Sequence, residues 1–155
     1  MPKTIEEVVR ERGFHAFKPK GTSMFPLLRE GYDVYVVKPV FPLKKYDVPV
    51  YKRADGTYVM HRVLDTDADG YVCCGDNQWV LEHGVTEDMI VGVLDSWYKG
   101  EKKHTVRDKS YRRYVRFWCR SLGRRRLMLC VIRKWYGVRG FLGGVRRKLF
   151  GKKKK

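Results

Sequence analysis

The stretch VPVYKRADGTYVMHRVL, residues 48–64, decides the fold class. β-Branched and aromatic residues recur through 48–52 and 57–64. The intervening Arg53-Ala54-Asp55-Gly56 ends on Asp-Gly, a dipeptide that accepts the positive φ angles of a tight hairpin. Two antiparallel strands around one turn are predicted. The same alternation recurs on both sides. Residues 14–17 and 33–38 read as strands, the second stopped by Pro39. Asp69-Gly70 makes another turn ahead of Tyr71-Val72-Cys73-Cys74, residues 86–89 form one helical turn, and 90–94 form a closing strand. Upstream, Thr4-Ile5-Glu6-Glu7 has the Thr-x-x-Glu form of a capping box. It starts a short helix that turns Ile5, Val8 and Val9 inward and ends near Gly13. The prediction is a compact, mainly antiparallel β domain with a short N-terminal helix and no internal repeat.

Charge divides the chain of 155 residues. Residues 1–98 carry 12 Lys/Arg against 15 Asp/Glu, and residues 99–155 carry 22 against 2, so the net +17 is the sum of −3 and +20. A β domain at 1–98 followed by a basic tail at 99–155 is the expected organisation, and such a tail seeks an anionic surface. Residues 99–110 read as a polar linker. Tyr111, Tyr114, Val115, Trp118, Cys119 and Leu122 then recur with helical spacing, opposite arginines. On this reading Tyr114, Trp118, Leu122 and Trp135 face a membrane. The apolar run 127–132 is far short of the ~20 residues a span requires, so the tail is expected to lie on a bilayer rather than cross it. Nucleic acid is the weaker partner for this tail, since no recognition motif accompanies its Arg, Tyr and Trp residues. Packing of the aromatics on the domain itself or on a membrane-protein partner is a third reading.

Cys73, Cys74, Cys119 and Cys130 show no metal-ligand spacing, and adjacent cysteines suit neither zinc nor an ordinary disulfide. No metal or cofactor is indicated. Free thiols with no export signal after Met1 point to a reducing compartment, hence a cytoplasmic protein.

Three short segments carry candidate chemistry: Gly21-Thr22-Ser23-Met24-Phe25-Pro26, Tyr58-Val59-Met60-His61-Arg62, and Gly75-Asp76-Asn77 with Glu82 shortly after. Together, in this order, they resemble the signal-peptidase clan of serine peptidases, which includes the LexA-like self-cleaving repressors. The resemblance covers about 21–94. Gly21 to Pro26 matches the nucleophile box, Asp47-Val48-Pro49-Val50-Tyr51 the strand after it, Gly75-Asp76-Asn77 the acidic box, and Ile90-Val91-Gly92-Val93 the closing strand. Most bacterial signal peptidases and LexA-like proteins place lysine where His61 stands; histidine there resembles the endoplasmic-reticulum and archaeal subgroup.

The resemblance implies a serine endopeptidase that cleaves a precursor, leader or signal-like peptide. Ser23 would be the nucleophile, His61 the general base and Asp76 the assisting carboxylate. Glu82 and Thr22 would be supporting residues, and Met24, Phe25 and Pro26 would lie along the substrate groove. The residue types suit these roles. A hydroxyl needs a base to take its proton, an imidazole titrates near neutrality, and a carboxylate on its far nitrogen fixes the tautomer. Pro26 is expected to hold Phe25 extended. Membrane signal peptidases carry a spanning helix before the serine, and about twenty residues without one precede Ser23. A peptidase held from the cytoplasmic side, acting on a leader or specialised precursor, is therefore expected. The non-enzymatic alternative is a β-domain binding module attached by its tail to membrane or nucleic acid.

Overall fold

The computed structural model describes residues 4–39 and 41–135. Helix α1 (Ile5–Arg12) has the expected capping box: Thr4 Oγ1 accepts from Glu7 N–H, while the Glu7 carboxylate accepts from Thr4 N–H. It closes on Gly13 at φ 72°, a left-handed position where only glycine sits without strain.

The chain then builds two antiparallel sheets. In the larger, β1 (His15–Phe17), β2 (Asp33–Lys38), β8 (Ile90–Lys99), β3 (Pro49–Lys52) and β4 (Tyr58–Met60) lie in the order β1-β2-β8-β3-β4. The smaller runs β5 (Arg62–Asp67), β6 (Gly70–Cys74) and β7 (Glu82–Val85). The result is mainly antiparallel β, with a curled half-barrel sheet and a short N-terminal helix. Strand β8 is central because its residues face packed groups on both sides. One edge holds β2. The other holds β3 along its first half (Val93 opposite Pro49) and β9 (Lys102–Thr105) along its second (Trp97 opposite His104). A single helical turn, Glu87–Met89, precedes it.

Two apolar clusters follow. One gathers Val9, Met24, Leu28, Val37, Val48 and Trp97; the other gathers Tyr51, Val63, Cys73, Val85 and Val93. Truncating a residue such as Leu28 to alanine in a core of this kind costs about 2–5 kcal/mol.

Three expectations are corrected. The 57–64 strand is two strands, β4 in one sheet and β5 in the other, with His61 at the crossing. The first compact unit ends at Ser121 rather than residue 98. Residues 99–110 are not a linker: β8 runs to Lys99 and turns into β9, and Asp108, whose carboxylate accepts from Thr105 N–H and Oγ1 and whose carbonyl accepts from Arg112 N–H, precedes α2 (Lys109–Tyr114). The helix widens into a π-helical turn, Val115–Cys119. Tyr114 and Trp118 therefore do not face a membrane. Tyr111 and Trp118 are buried, and the Tyr114 hydroxyl donates to Asp76.

The second unit begins at Leu122, and its described part is a helix over 122–135. Leu122 is half-buried, whereas Leu127, Val131 and Trp135, one turn apart, are exposed. The Gly-punctuated end of the tail, 136–155, lies outside the described residues.

Candidate active site

Ser23 sits in a turn, not a strand. Phe25 N–H donates to Thr22 O (3.0 Å) and Leu28 N–H to Met24 O (3.0 Å), winding residues 22–28 into consecutive turns. The ends of this loop are tied: Gly21 N–H donates to the Glu30 carboxylate (2.6 Å), and buried Asp33, which opens β2, accepts from Arg29 N–H (2.8 Å). The loop also leans on the acidic box. Asn77 N–H donates to Ser23 O (2.7 Å), and Asn77 Nδ2 donates to Thr22 O (3.0 Å). This close approach explains Gly75: a Cβ there would stand 2.7 Å from Ser23 O, so no other residue fits without moving the Ser23 loop.

Ser23 and His61 line the same cavity, about 640 Å³ in volume, between the β1 side and β4. Phe17, Met24, Tyr35, Val50, Tyr58 and Met60 supply apolar wall; Lys18, Lys20 and Arg53 supply positive charge, and among the described residues no carboxylate lines it. Among the described residues no direct hydrogen bond joins Ser23 Oγ to His61. Met24 serves both core and cavity, being buried in the first apolar cluster and part of the cavity wall. Phe25, Pro26 and Thr22 do not line the cavity. Phe25 belongs to the turn rather than an extended segment, and Thr22 is anchored through its carbonyl.

His61 is 7% exposed. Its Nδ1 lies 3.1 Å from Glu82 Oε2 and 3.1 Å from the Tyr51 hydroxyl oxygen. Tyr51 donates to the same Glu82 oxygen at 2.5 Å, and Arg53 grips the carboxylate with Nε (2.6 Å) and a terminal nitrogen (2.7 Å). Burial alone would raise the Glu82 pKa, but the Arg53 guanidinium and the Tyr51 hydroxyl overcome it and hold the group at about 2. An ionised carboxylate only accepts, so Nδ1 carries the proton and donates to Glu82. That leaves Nε2 as the basic nitrogen. Burial pushes the His61 pKa down, opposed by Glu82 and helped by Arg53, which favours the neutral ring.

The carboxylate on His61 is thus Glu82 and not Asp76. Asp76 is wholly buried and forms a bidentate pair with wholly buried Arg62 (2.8 and 2.6 Å). The remaining acceptor capacity of Asp76 takes the Tyr114 hydroxyl (2.9 Å). Strand order explains the exchange: β7 pairs with β6, bringing Glu82 beside Cys73 and within reach of Tyr51 on β3 and of Arg53 just past its end, whereas Asp76 follows β6 and bonds Tyr114 of α2. Sequence reasoning missed Tyr51 and Arg53. The available signal was a strand tyrosine followed two positions later by arginine, which alternation sends to the same side.

Burial pushes the Cys73 thiol up to about 12, so it is inert at neutral pH. Among the described residues no group of three or more His, Cys, Asp or Glu side chains is placed to hold a metal ion. No model of a known protein family matches the chain, and no curated protein resembles it closely enough to count as a match.

Proposed function

We propose that this chain is a serine endopeptidase of the signal-peptidase type, cleaving a precursor, leader or signal-like peptide. Ser23 Oγ attacks the scissile carbonyl, His61 Nε2 takes its proton and returns it to the leaving amine, and Glu82 holds Nδ1–H and stabilises the imidazolium. The carbonyl oxygen becomes an oxyanion; Ser23 N–H is the backbone donor assigned to it. The observation carrying this reading is the Glu82–His61 pair at 3.1 Å, with Ser23 in the wall of the same cavity. An extended peptide laid along β4 would reach Ser23 while its side chains enter the apolar wall.

The test is incubation of the purified chain with a randomised peptide library, with products read by mass spectrometry. Ser23→Ala and His61→Ala should each abolish cleavage. Products unchanged in Ser23→Ala would remove the serine from the mechanism. Wild type that neither cleaves nor reacts with a fluorophosphonate would favour the non-enzymatic binding module.

The same reading makes the protein cytoplasmic and peripheral on the inner face of an anionic membrane, with a membrane protein as a further partner. Among the described residues no helix is long and apolar enough to cross a membrane. The exposed Leu127, Val131 and Trp135 form one stripe of the 122–135 helix, flanked in sequence by Arg124, Arg126, Arg133 and Lys134. Apolar burial plus attraction to anionic headgroups suits that pattern. The chain should float with vesicles containing phosphatidylglycerol and not with pure phosphatidylcholine. Equal flotation with both would reject the electrostatic part, and a salt-dependent shift of RNA without flotation would reject the membrane.

A further inference from the structure

Three aromatic residues of the segment after β9 converge on one buried ion pair. The Tyr111 hydroxyl accepts from Arg62 Nη1 (2.8 Å), the Tyr114 hydroxyl donates to Asp76 Oδ2 (2.9 Å), and Trp118 Nε1 donates to Asp76 O (2.8 Å). Their rings stack in series, Tyr111 on Tyr114 (6.4 Å) and Tyr114 on Trp118 (6.2 Å), with the Arg62 guanidinium 5.6 Å from the Tyr111 ring centre and 5.9 Å from that of Tyr114. None of the three lines the cavity that holds Ser23 and His61.

What the pair connects gives the arrangement its meaning. Arg62 follows His61 in the chain. Asp76 precedes Asn77, whose N–H donates to Ser23 O and whose amide donates to Thr22 O. The Arg62–Asp76 pair therefore bridges the backbone carrying the base to the backbone supporting the nucleophile loop. The aromatic segment packs on that bridge without lining the cavity, and Arg62 Nη1 also donates to Tyr46 O (2.9 Å).

We infer that Tyr111, Tyr114 and Trp118 are positioning residues: they hold the Arg62–Asp76 bridge and thereby set the placement of Ser23 relative to His61. The inference rests on the peptidase reading for its consequence in catalysis, but not for its structural content. Displacement of a reacting group by about 1 Å costs on the order of 10²-fold in rate, so small slack in the bridge is enough to matter. The segment does not contact the cavity, so substrate binding is left alone.

The test uses the full chain with Tyr114→Phe and Trp118→Phe, which keep the ring stack and remove one donor each. Arg113→Ala, at an exposed position on the same helix, is the control. Two readouts are taken. Amide hydrogen exchange at Asn77 and Phe25 reports the nucleophile loop without requiring activity, and kcat and KM are taken on a peptide selected from the library. Exchange at both amides should rise at least tenfold in the two aromatic variants and stay unchanged in the control. Where the wild type cleaves, kcat should fall about tenfold with KM constant.

Melting temperatures lowered with exchange and kcat unchanged would reduce the segment to ordinary packing and overturn the inference. A rise in KM with constant kcat would overturn it too. Should the wild type cleave nothing while exchange still responds, the positioning stands and the peptidase reading alone falls.

Discussion

Replacing Glu82 by glutamine and Asp76 by asparagine should damage different properties, because the two carboxylates hold different cations. Glu82 Oε2 lies 3.1 Å from His61 Nδ1, and at an effective dielectric of about 20 this attracts an imidazolium by about 5 kcal/mol. The Arg53 guanidinium bound to the same carboxylate repels that charge and offsets part of the attraction, leaving on the order of 3 kcal/mol. At about 1.4 kcal/mol per tenfold in rate, and with solvent trimming the interaction at this partly exposed carboxylate, Glu82→Gln should lower kcat about 10–10²-fold. That is less than the ~10⁴ lost when the aspartate of a Ser-His-Asp triad is changed to asparagine.

Asp76→Asn instead leaves Arg62 charged, wholly buried and short of its partner, which costs about 3–5 kcal/mol. In a unit of this size that lowers the melting temperature by roughly 10–20 °C. Scanning fluorimetry of both variants, with kcat measured well below their melting points, separates the effects. The opposite result would refute the assignment: an Asp76→Asn protein of unchanged melting temperature that has lost activity, beside a fully active Glu82→Gln. His61 would then take its orientation from Asp76.

Three further outcomes follow from the same geometry. Arg53 depresses the His61 pKa, so Arg53→Gln should raise it and move the acid limb of the rate profile to higher pH, a shift read independently from the His61 ring signals by NMR; an unmoved limb would show that the guanidinium is not felt at the ring. The depressed His61 pKa means its contribution to stability is complete above about 6.5 and is lost as pH falls through the folded-state value. That of Glu82 is complete above about 4.5 and lost toward about 2, so acid unfolding should steepen across both windows. Gly75→Ala should abolish cleavage by displacing Ser23, and an active Gly75→Ala would show the loop to be more compliant than the 2.7 Å approach implies. Lys18 and Lys20 face a cavity wall without carboxylates, so cleaved library peptides should be enriched in Asp or Glu beside an apolar residue, and Lys18→Glu with Lys20→Glu should reverse that enrichment; an unchanged profile would confine selectivity to the apolar wall.

Local chemistry made much of this fold legible. The capping box, the Gly13 stop, the Asp55-Gly56 hairpin and the turn at 87–89 depend on neighbours a few residues apart, and each stands where it was expected. Glu82–Val85 and Lys102–Thr105 carry no strand signal in the sequence. Glu82-His83-Gly84-Val85 and Lys102-Lys103-His104-Thr105 have weak β propensity of their own and are strands because β6 and β8 offer them an edge. Membership of a sheet is a tertiary fact, and it moved the domain boundary from 98 to 121.

The same reasoning separates what was legible at the site from what was not. Ser23 and His61 stand out by residue type and by the turn or crossing that carries them. The carboxylate partner does not, because two acids six positions apart both follow β6, and choosing between them requires knowing which turns back toward β3. Helical spacing exposed the stripe at Tyr111, Tyr114 and Trp118 but could not say what it meets. An aromatic stripe opposite arginines serves a lipid surface equally well as a buried guanidinium. The deciding residue was Arg62: following His61 on a strand facing the interior, a fully buried arginine needs a carboxylate and further acceptors, and Asp76, Tyr46 O and the Tyr111 hydroxyl supply them. A charge that the fold must neutralise next to His61 recruits both the acidic box and the aromatic segment. That requirement draws two regions, remote in sequence from Ser23, onto the site.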